Sequence, residues 1–281
     1  CDAGITEETK ATTLSFNYND IHSLEKIFKD HENQIACIIM EAVTTEEPKD
    51  NFLYKVQELC KKKRAVFIID EMITGFRWGL KGASGFYNLK PDLITYGKGI
   101  ANGYSVAVLG GKKEIMELGG IYHKKPRVFL ISTTHGAETV SLRAAISTIK
   151  EMKAKKAQEH FWKTGTILKR GLEKLIKKHY LDRFIQIAGF APNLSMVFKD
   201  KNGVASLLLR TLFLQEVIKK GILFQGYFAI SYSHKKEEIN KTLKVFDNVF
   251  SFYKKITNEA DQDISQYLIG KSVKPVFRKY N

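Results

Sequence analysis

Asp70 and Lys98 are the residues of this chain whose types and spacing could do chemistry together. Asp70 closes the apolar run Ala65-Val66-Phe67-Ile68-Ile69 and is followed by Glu71. Lys98 lies 28 positions further on (98 − 70), between Gly97 and Gly99 at the end of a second apolar run. A fixed carboxylate and an amine at neighbouring strand ends are the polar groups that a pyridoxal phosphate (PLP) site needs. That cofactor is an electron sink only while its pyridine nitrogen stays protonated beside an anion and a lysine holds its aldehyde as a Schiff base. Asp70 is the candidate for the first task and Lys98 for the second. Burial and nearby positive charge would keep the Lys98 amine neutral, free to act as nucleophile and proton carrier.

The elements that must position these two groups can be read from periodicity. A helix is expected over Asp20 to His31, with Leu24, Ile27 and Phe28 on one face, and a strand over Ile35 to Met40. A second helix, opened by Asp50 as cap, runs to Lys63 with Phe52, Leu53, Val56 and Leu59 inward. Strands follow at Ala65 to Ile69, Leu93 to Tyr96, and Val106 to Leu109 before Gly110-Gly111. Strand, helix, strand succession predicts parallel pairing, and open sheets of that kind bind ligands at the carboxyl ends of their strands. A long helix starts at Glu138 and runs to Lys156. Beyond it, amphipathic helices are expected over Phe161 to Lys178, Leu207 to Lys220 and Lys236 to Lys255, with strands at Asn193 to Phe198 and Phe228 to Tyr232. The expected division is a partial cofactor-binding large domain over 1–152 and a smaller α+β domain over 153–281.

The flanking residues carry a resemblance. Asp70-Glu71-Met72-Ile73-Thr74-Gly75-Phe76-Arg77, then Pro91-Asp92-Leu93 leading to Gly97-Lys98-Gly99-Ile100-Ala101-Asn102-Gly103, resembles the signature of class III, fold type I, PLP-dependent aminotransferases. Within that class, Ser132-Thr133-Thr134-His135-Gly136-Ala137-Glu138 and Ile230-Ser231-Tyr232-Ser233-His234 look like the glutamate-1-semialdehyde aminomutase-like group, and the likeness extends to the tail Lys274-Pro275-Val276-Phe277-Arg278-Lys279.

The resemblance implies an α/β fold with a mostly parallel sheet and a smaller α+β carboxyl-terminal domain. It also implies transfer of an amino group on a small amino acid, a semialdehyde or an aminosugar precursor, by transamination or by 2,1-migration. Residue by residue, it gives Asp70 the pyridine nitrogen, Met72 a face of the ring, and Lys98 the covalent link and the proton shuttle. Thr134 would reach the phosphate bound by a neighbouring subunit, making a homodimer with shared sites. Glu41 would stand in the site wall, although Ala42 follows where the family usually has proline. Tyr104 and Ser105 also depart from the commoner pattern after the lysine loop. The glycine and hydroxyl loop for the phosphate, and an aromatic that stacks on the ring, are expected ahead of residue 35 and are not found there. The chain, which starts at Cys1, therefore reads as a carboxyl-terminal fragment of a longer enzyme.

Composition agrees with a cleft enzyme. A chain of 281 residues that is 44% hydrophobic can bury a large core and exceeds one typical domain. Three cysteines, Cys1, Cys37 and Cys60, make no disulfide framework, no metal-ligand spacing is present, and no apolar run could cross a bilayer. Cytoplasm is the expected compartment. The net charge of +15 comes from 45 basic residues, of which 37 are lysines scattered along the chain. A nucleic-acid surface concentrates arginine among aromatics, so these lysines read as solvated helix faces and helix carboxyl ends.

Each candidate also has another reading. Four apolar residues before Asp70-Glu71 describe a Walker B strand, with Asp70 on magnesium and Glu71 polarising water, in a P-loop-type ATPase. The G-x-x-x-x-G-K-[ST] partner motif is absent, and that reading leaves Gly97-Lys98-Gly99 unexplained. A truncated inactive remnant and a basic binding module are the non-enzymatic alternatives. His135 and His234 read as structural histidines, Arg77 as an ion-pair residue, and Glu71 as a neighbour of the site rather than a catalyst.

Overall fold

A computed structural model describes residues 2–128, 134–258 and 263–275. Cys1, Ser132, Thr133 and the tail beyond Pro275 lie outside the described residues. The chain forms two compact units: Thr13–Gln158, and Glu159–Asn281 joined by Cys1–Thr12.

After the short helix α1 (Glu7–Ala11), the first unit begins with α2 (Ile21–Asp30). Asp20 caps α2 by accepting the amide protons of His22 and Ser23, and Leu24 and Phe28 are buried on its inner face. Strand β1 (Cys37–Glu41) leads to α3 (Phe52–Lys63), then to β2 (Val66–Asp70). The expected Asp50 cap is not formed. Asp50 and Asn51 both take left-handed backbone angles (φ 49° and 58°), and α3 starts at Phe52 without a side-chain cap. Its inner face holds Phe52, Leu53, Val56 and Cys60, with Leu59 only part-buried. Burial holds the Cys60 thiol protonated, with its pKa pushed up to about 12.

A short helix α4 (Gly82–Phe86) precedes β3 (Leu93–Tyr96), which turns through the lysine loop into β4 (Val108–Gly111). The sheet order is β1-β2-β3-β4; β1, β2 and β3 run parallel, as the strand, helix, strand pattern requires, and β4 is antiparallel. Gly110 and Gly111, expected to follow this strand, lie within it. A side chain at Gly111 would meet the Asp92 carbonyl oxygen at 2.3 Å, so glycine is what permits the close pairing with Leu93.

Asp92 fixes the register of three strands at their end remote from Lys98. Its Oδ2 accepts the Phe67 amide at 2.7 Å and its Oδ1 meets Lys112 Nζ at 2.6 Å. Its backbone bonds Phe67 and Lys112 as well. A one-residue slip would turn every side chain to the other face, so this anchor is what sets Asp70 beside Thr95. The unit continues through α5 (Lys113–Met116) to α6 (Thr139–Ala154).

In the second unit, α7 (Ala157–Lys178) is followed by β5 (Ile185–Phe190) and β6 (Asn193–Phe198) as an antiparallel pair. Helix α8 (Leu207–Lys219) leads to β7 (Tyr227–Ala229), the third strand of that sheet, and α9 (Lys236–Asn258) completes the unit. Phe213 is the hub of its core, with ring centroids 5.1 Å from both Phe198 and Phe246 and 5.5 Å from Phe250. Burying each such ring contributes about 1.5–3 kcal/mol. Strand β7 is shorter than the expected Phe228 to Tyr232. The Ser231 amide turns to His234 Nδ1 at 3.2 Å and leads the chain into α9. Among the described residues no helix is long and apolar enough to cross a membrane.

Candidate active site

Glu41 and Asp70, the last residues of β1 and β2, and Thr95, the last but one of β3, stand opposite one another in register on three adjacent parallel strands. Asp70 Oδ1 accepts the Met72 amide at 2.8 Å and the Thr95 hydroxyl at 3.1 Å. Among the described residues no donor reaches Oδ2, which leaves one oxygen of a well-oriented carboxylate open to a ligand.

Lys98 follows Gly97 directly after β3 and opens a 3-10 helix, Lys98–Ala101. Its backbone is left-handed (φ 49°), a conformation that costs a non-glycine residue about 1–2 kcal/mol and has to be held by its surroundings. They do so: Ile100 and Ala101 are buried against Ala145 of α6, with Phe76, Tyr96, Val106 and Ile149 around them. Gly97 is required for a different reason. A Cβ there would lie 2.3 Å from Met72 Cε, so the Met72 side chain occupies the space beside the lysine loop.

The electrostatics tie the group together. The Glu41 carboxyl is half-buried and its pKa is raised, first by burial and then by the Asp70 charge, with Lys98 opposing the rise. Asp70 and Lys98 thus both act on the Glu41 carboxyl, with opposite signs. Lys98 itself is exposed, so the described residues do not supply the burial that the sequence reading assigned to it.

The loop after Glu41 is held from below. The Tyr18 hydroxyl donates to the Ala42 carbonyl at 2.8 Å. Asn19 bonds the Glu47 carbonyl and the Lys49 amide, both at 2.9 Å. These bonds fix the chain at Ala42 and again at Glu47 and Lys49.

Glu71 turns away from the site. It is 1% exposed and accepts from the Thr74 hydroxyl and from the amides of Ala83 at 3.0 Å and Ser84 at 2.6 Å. A side chain at Gly82 would overlap that carboxylate. A glutamate committed in this way is not free to polarise water, which removes the support that Glu71 gave to a Walker B strand.

The other candidates are not brought into this group. Thr134 and His135 lie exposed in a turn ahead of α6, and no contact among the described residues joins them to Asp70 or Lys98. Arg77 sits in the loop that Thr74 closes, its amide on the Thr74 carbonyl at 3.1 Å. Tyr104 is 54% exposed and lines an open cavity of about 500 Å³ with Thr139, Val140 and Arg143 of α6. His234 belongs to the second unit, where its carbonyl faces His160 Nε2 at 2.9 Å. Thr95 was not identified from sequence. The available signal was a hydroxyl inside the apolar run Leu93-Ile94-Thr95-Tyr96, but only the register says which carboxylate it faces.

The Glu41 shift has a consequence for stability. Its folded pKa is raised, so the stability of its neutral form is fully present below the ordinary carboxyl value of 4.5 and is lost as pH rises through the raised value. Glu41→Gln, neutral throughout, is therefore expected to be more stable than the parent near neutral pH and equal to it below that ordinary value. Urea midpoints across that window measure the difference; parallel curves would remove Glu41 from the charged group.

Comparison with known proteins identifies the family of the chain. The family model described as aminotransferase class-III matches residues 5–250. Glutamate-1-semialdehyde 2,1-aminomutase 2 of Staphylococcus haemolyticus is 32% identical over 267 residues, covering 88% of this chain and 60% of that protein. Glutamate-1-semialdehyde 2,1-aminomutase of Thermosipho africanus is 34% identical over 260 residues, covering 87% of this chain and 60% of that protein. The chain thus spans about 60% of the length of these relatives. Among solved structures, the PLP internal aldimine form of the Sphingopyxis FumI protein superposes with a TM-score of 0.82 at 22% identity, over 95% of this chain and 63% of that one. The shared fold is that of fold type I transaminases.

Proposed function

The chain belongs to the class-III aminotransferase family, and from that premise we propose that it carries the catalytic half-site of a PLP-dependent enzyme that moves an amino group on a small amino acid or semialdehyde. The observation that carries this reading is the pairing of an oriented carboxylate, with one oxygen open, and a lysine on the next strand end. The residues fit the cofactor on that ground: Asp70 would hold the ring nitrogen, Met72 would pack at the ring, and Lys98 would hold the aldehyde carbon covalently. PLP, when bound, supplies an electron sink for the bonds around the amino-bearing carbon.

The chain's own groups do the rest. Asp70 keeps a negative charge fixed against the ring nitrogen, so that the proton there stays in place. Lys98 Nζ, on a loop anchored by Ile100 and Ala101, takes a proton from one carbon and returns it to another. Glu41, whose carboxyl pKa is raised by burial and by the Asp70 charge, would stand in the site wall. Residues 13–158 form the cofactor-binding unit in this reading, and Thr134 would serve the phosphate bound by a second copy of the chain. Exposed apolar residues, Val140, Leu142 and Ile146 of α6 and Tyr104, support such a pairing. The aminomutases among the relatives favour migration of the amino group within one substrate, although both reaction types use the same lysine and aspartate.

Adding PLP to the purified chain should give a visible band that borohydride removes, leaving a pyridoxyl adduct on Lys98 by mass spectrometry. No adduct, or adducts spread over surface lysines, would overturn the reading for this chain.

A further inference from the structure

We propose that Thr95 is a positioning residue for the carboxylate that faces the cofactor: with the Met72 amide, its hydroxyl engages Oδ1 of Asp70 and so aims Oδ2 at the ring nitrogen. This rests on the reading of Asp70 given above and adds a residue to it.

The geometry is specific. Thr95 lies directly opposite Asp70 in the β2–β3 register, so the two side chains project from the same face of the sheet. The Met72 amide, two residues along from Asp70, reaches Oδ1 at 2.8 Å from one side. The Thr95 hydroxyl reaches the same oxygen at 3.1 Å from the neighbouring strand. A single donor fixes a point and leaves a carboxylate free to rotate about its terminal torsion, which has no sharp minimum. Two donors from separate elements fix the plane.

Thr95 suits the task because its χ1 is restricted by β-branching, so the hydroxyl is held where the carboxylate needs it. Bonds to Oδ1 also leave the unengaged oxygen as the one a protonated ring nitrogen meets. A residue that only filled space would not need the hydroxyl. Valine has the same shape and lacks the donor.

Thr95→Val and Thr95→Ser separate the two roles. In crystals of the unliganded chain, T95V is expected to show the Asp70 carboxylate rotated away from its wild-type plane, and T95S to show it unchanged. With PLP, T95V should bind about tenfold more weakly and T95S within about twofold of wild type, the change expected on losing one hydrogen bond to a charged group. The pH at which the bound cofactor's visible band titrates should move in T95V and return in T95S, a readout that packing alone would leave in place. An unchanged Asp70 plane in T95V, or PLP affinity within about twofold of wild type with an unmoved band, would overturn the proposal. Failure of the wild type to form the Lys98 adduct would instead overturn the proposed function, and the unliganded crystals would then decide the placement of Asp70 alone.

Discussion

Lys98→Ala eliminates the borohydride-trapped adduct and lowers amino-group turnover by at least about 10²–10⁴-fold, the range that one positioned proton carrier supplies. The chain has 37 lysines, so the identity of the modified one is a demanding test. Exposure does not choose it, because most of the others are exposed too. The choice is made by the backbone: Lys98 sits in a left-handed conformation, beside a glycine that admits Met72 and ahead of two residues buried against α6. It is also the one lysine among the described residues whose charge bears on Glu41. Lys98→Arg sharpens the result. Arginine keeps the positive charge and cannot serve as a neutral amine, so it should retain weak PLP binding and lose both the adduct and turnover. Peptide mapping after reduction reads the adduct, and turnover with a supplied amino donor reads the proton transfer. Full adduct formation in K98A at another lysine would place the covalent link elsewhere.

That Asp70 and Lys98 could be paired from sequence at all follows from how local their signals are. Each ends an apolar, strand-forming run, and a parallel sheet delivers such ends to one edge. The strands at 66–70 and 93–96 were legible for that reason. What set them side by side was not, because the register is held by Asp92, whose carboxylate bonds a residue 25 positions away. For the same reason Thr95 was missed. Its neighbour in space is fixed by pairing and leaves no mark on the sequence around it.

Strand β5, Ile185-Gln186-Ile187-Ala188-Gly189-Phe190, escaped detection for a different cause: Gly189 is left-handed (φ 82°). Ala188 and Gly189 cut short the alternation that Ile185-Gln186-Ile187 begins, and pairing with β6 makes the segment a strand. Asp50 illustrates the opposite error. Its residue type is right for a cap, but two successive left-handed residues bring the chain into α3 on another path. The exposure of Lys98 contradicts an expectation drawn from chemistry rather than from pattern, since an amine that must be neutral was presumed to be covered by the elements that carry it.

Glu71→Ala should destabilise the Thr13–Gln158 unit by about 3–5 kcal/mol, the largest stability effect expected of any single change at the site. Three donors lose their acceptor, and two are backbone amides, of Ala83 and Ser84, that have no water to turn to. Each buried donor left unsatisfied costs about 1–3 kcal/mol. Glu71→Gln should cost less, because the amide oxygen still accepts on one side, but its NH₂ then faces a backbone N–H on the other, with Gly82 allowing no room to withdraw. Urea unfolding followed by tryptophan fluorescence measures both, since Trp78 is buried between Glu71 and α4 along the chain. The same variants separate two meanings of the Asp-Glu pair. In phosphoryl-transfer enzymes of the Walker type the glutamate acts on water, so replacing it removes hydrolysis and leaves the fold intact. Here the prediction is reversed: the unit loses stability, and whatever fraction remains folded still holds the Asp70 carboxylate on the Met72 amide and the Thr95 hydroxyl. Consecutive residues at a strand end face opposite sides of the sheet. That is how one carboxylate can be committed to holding the loop from 71 to 84 while its neighbour keeps an oxygen free for the cofactor.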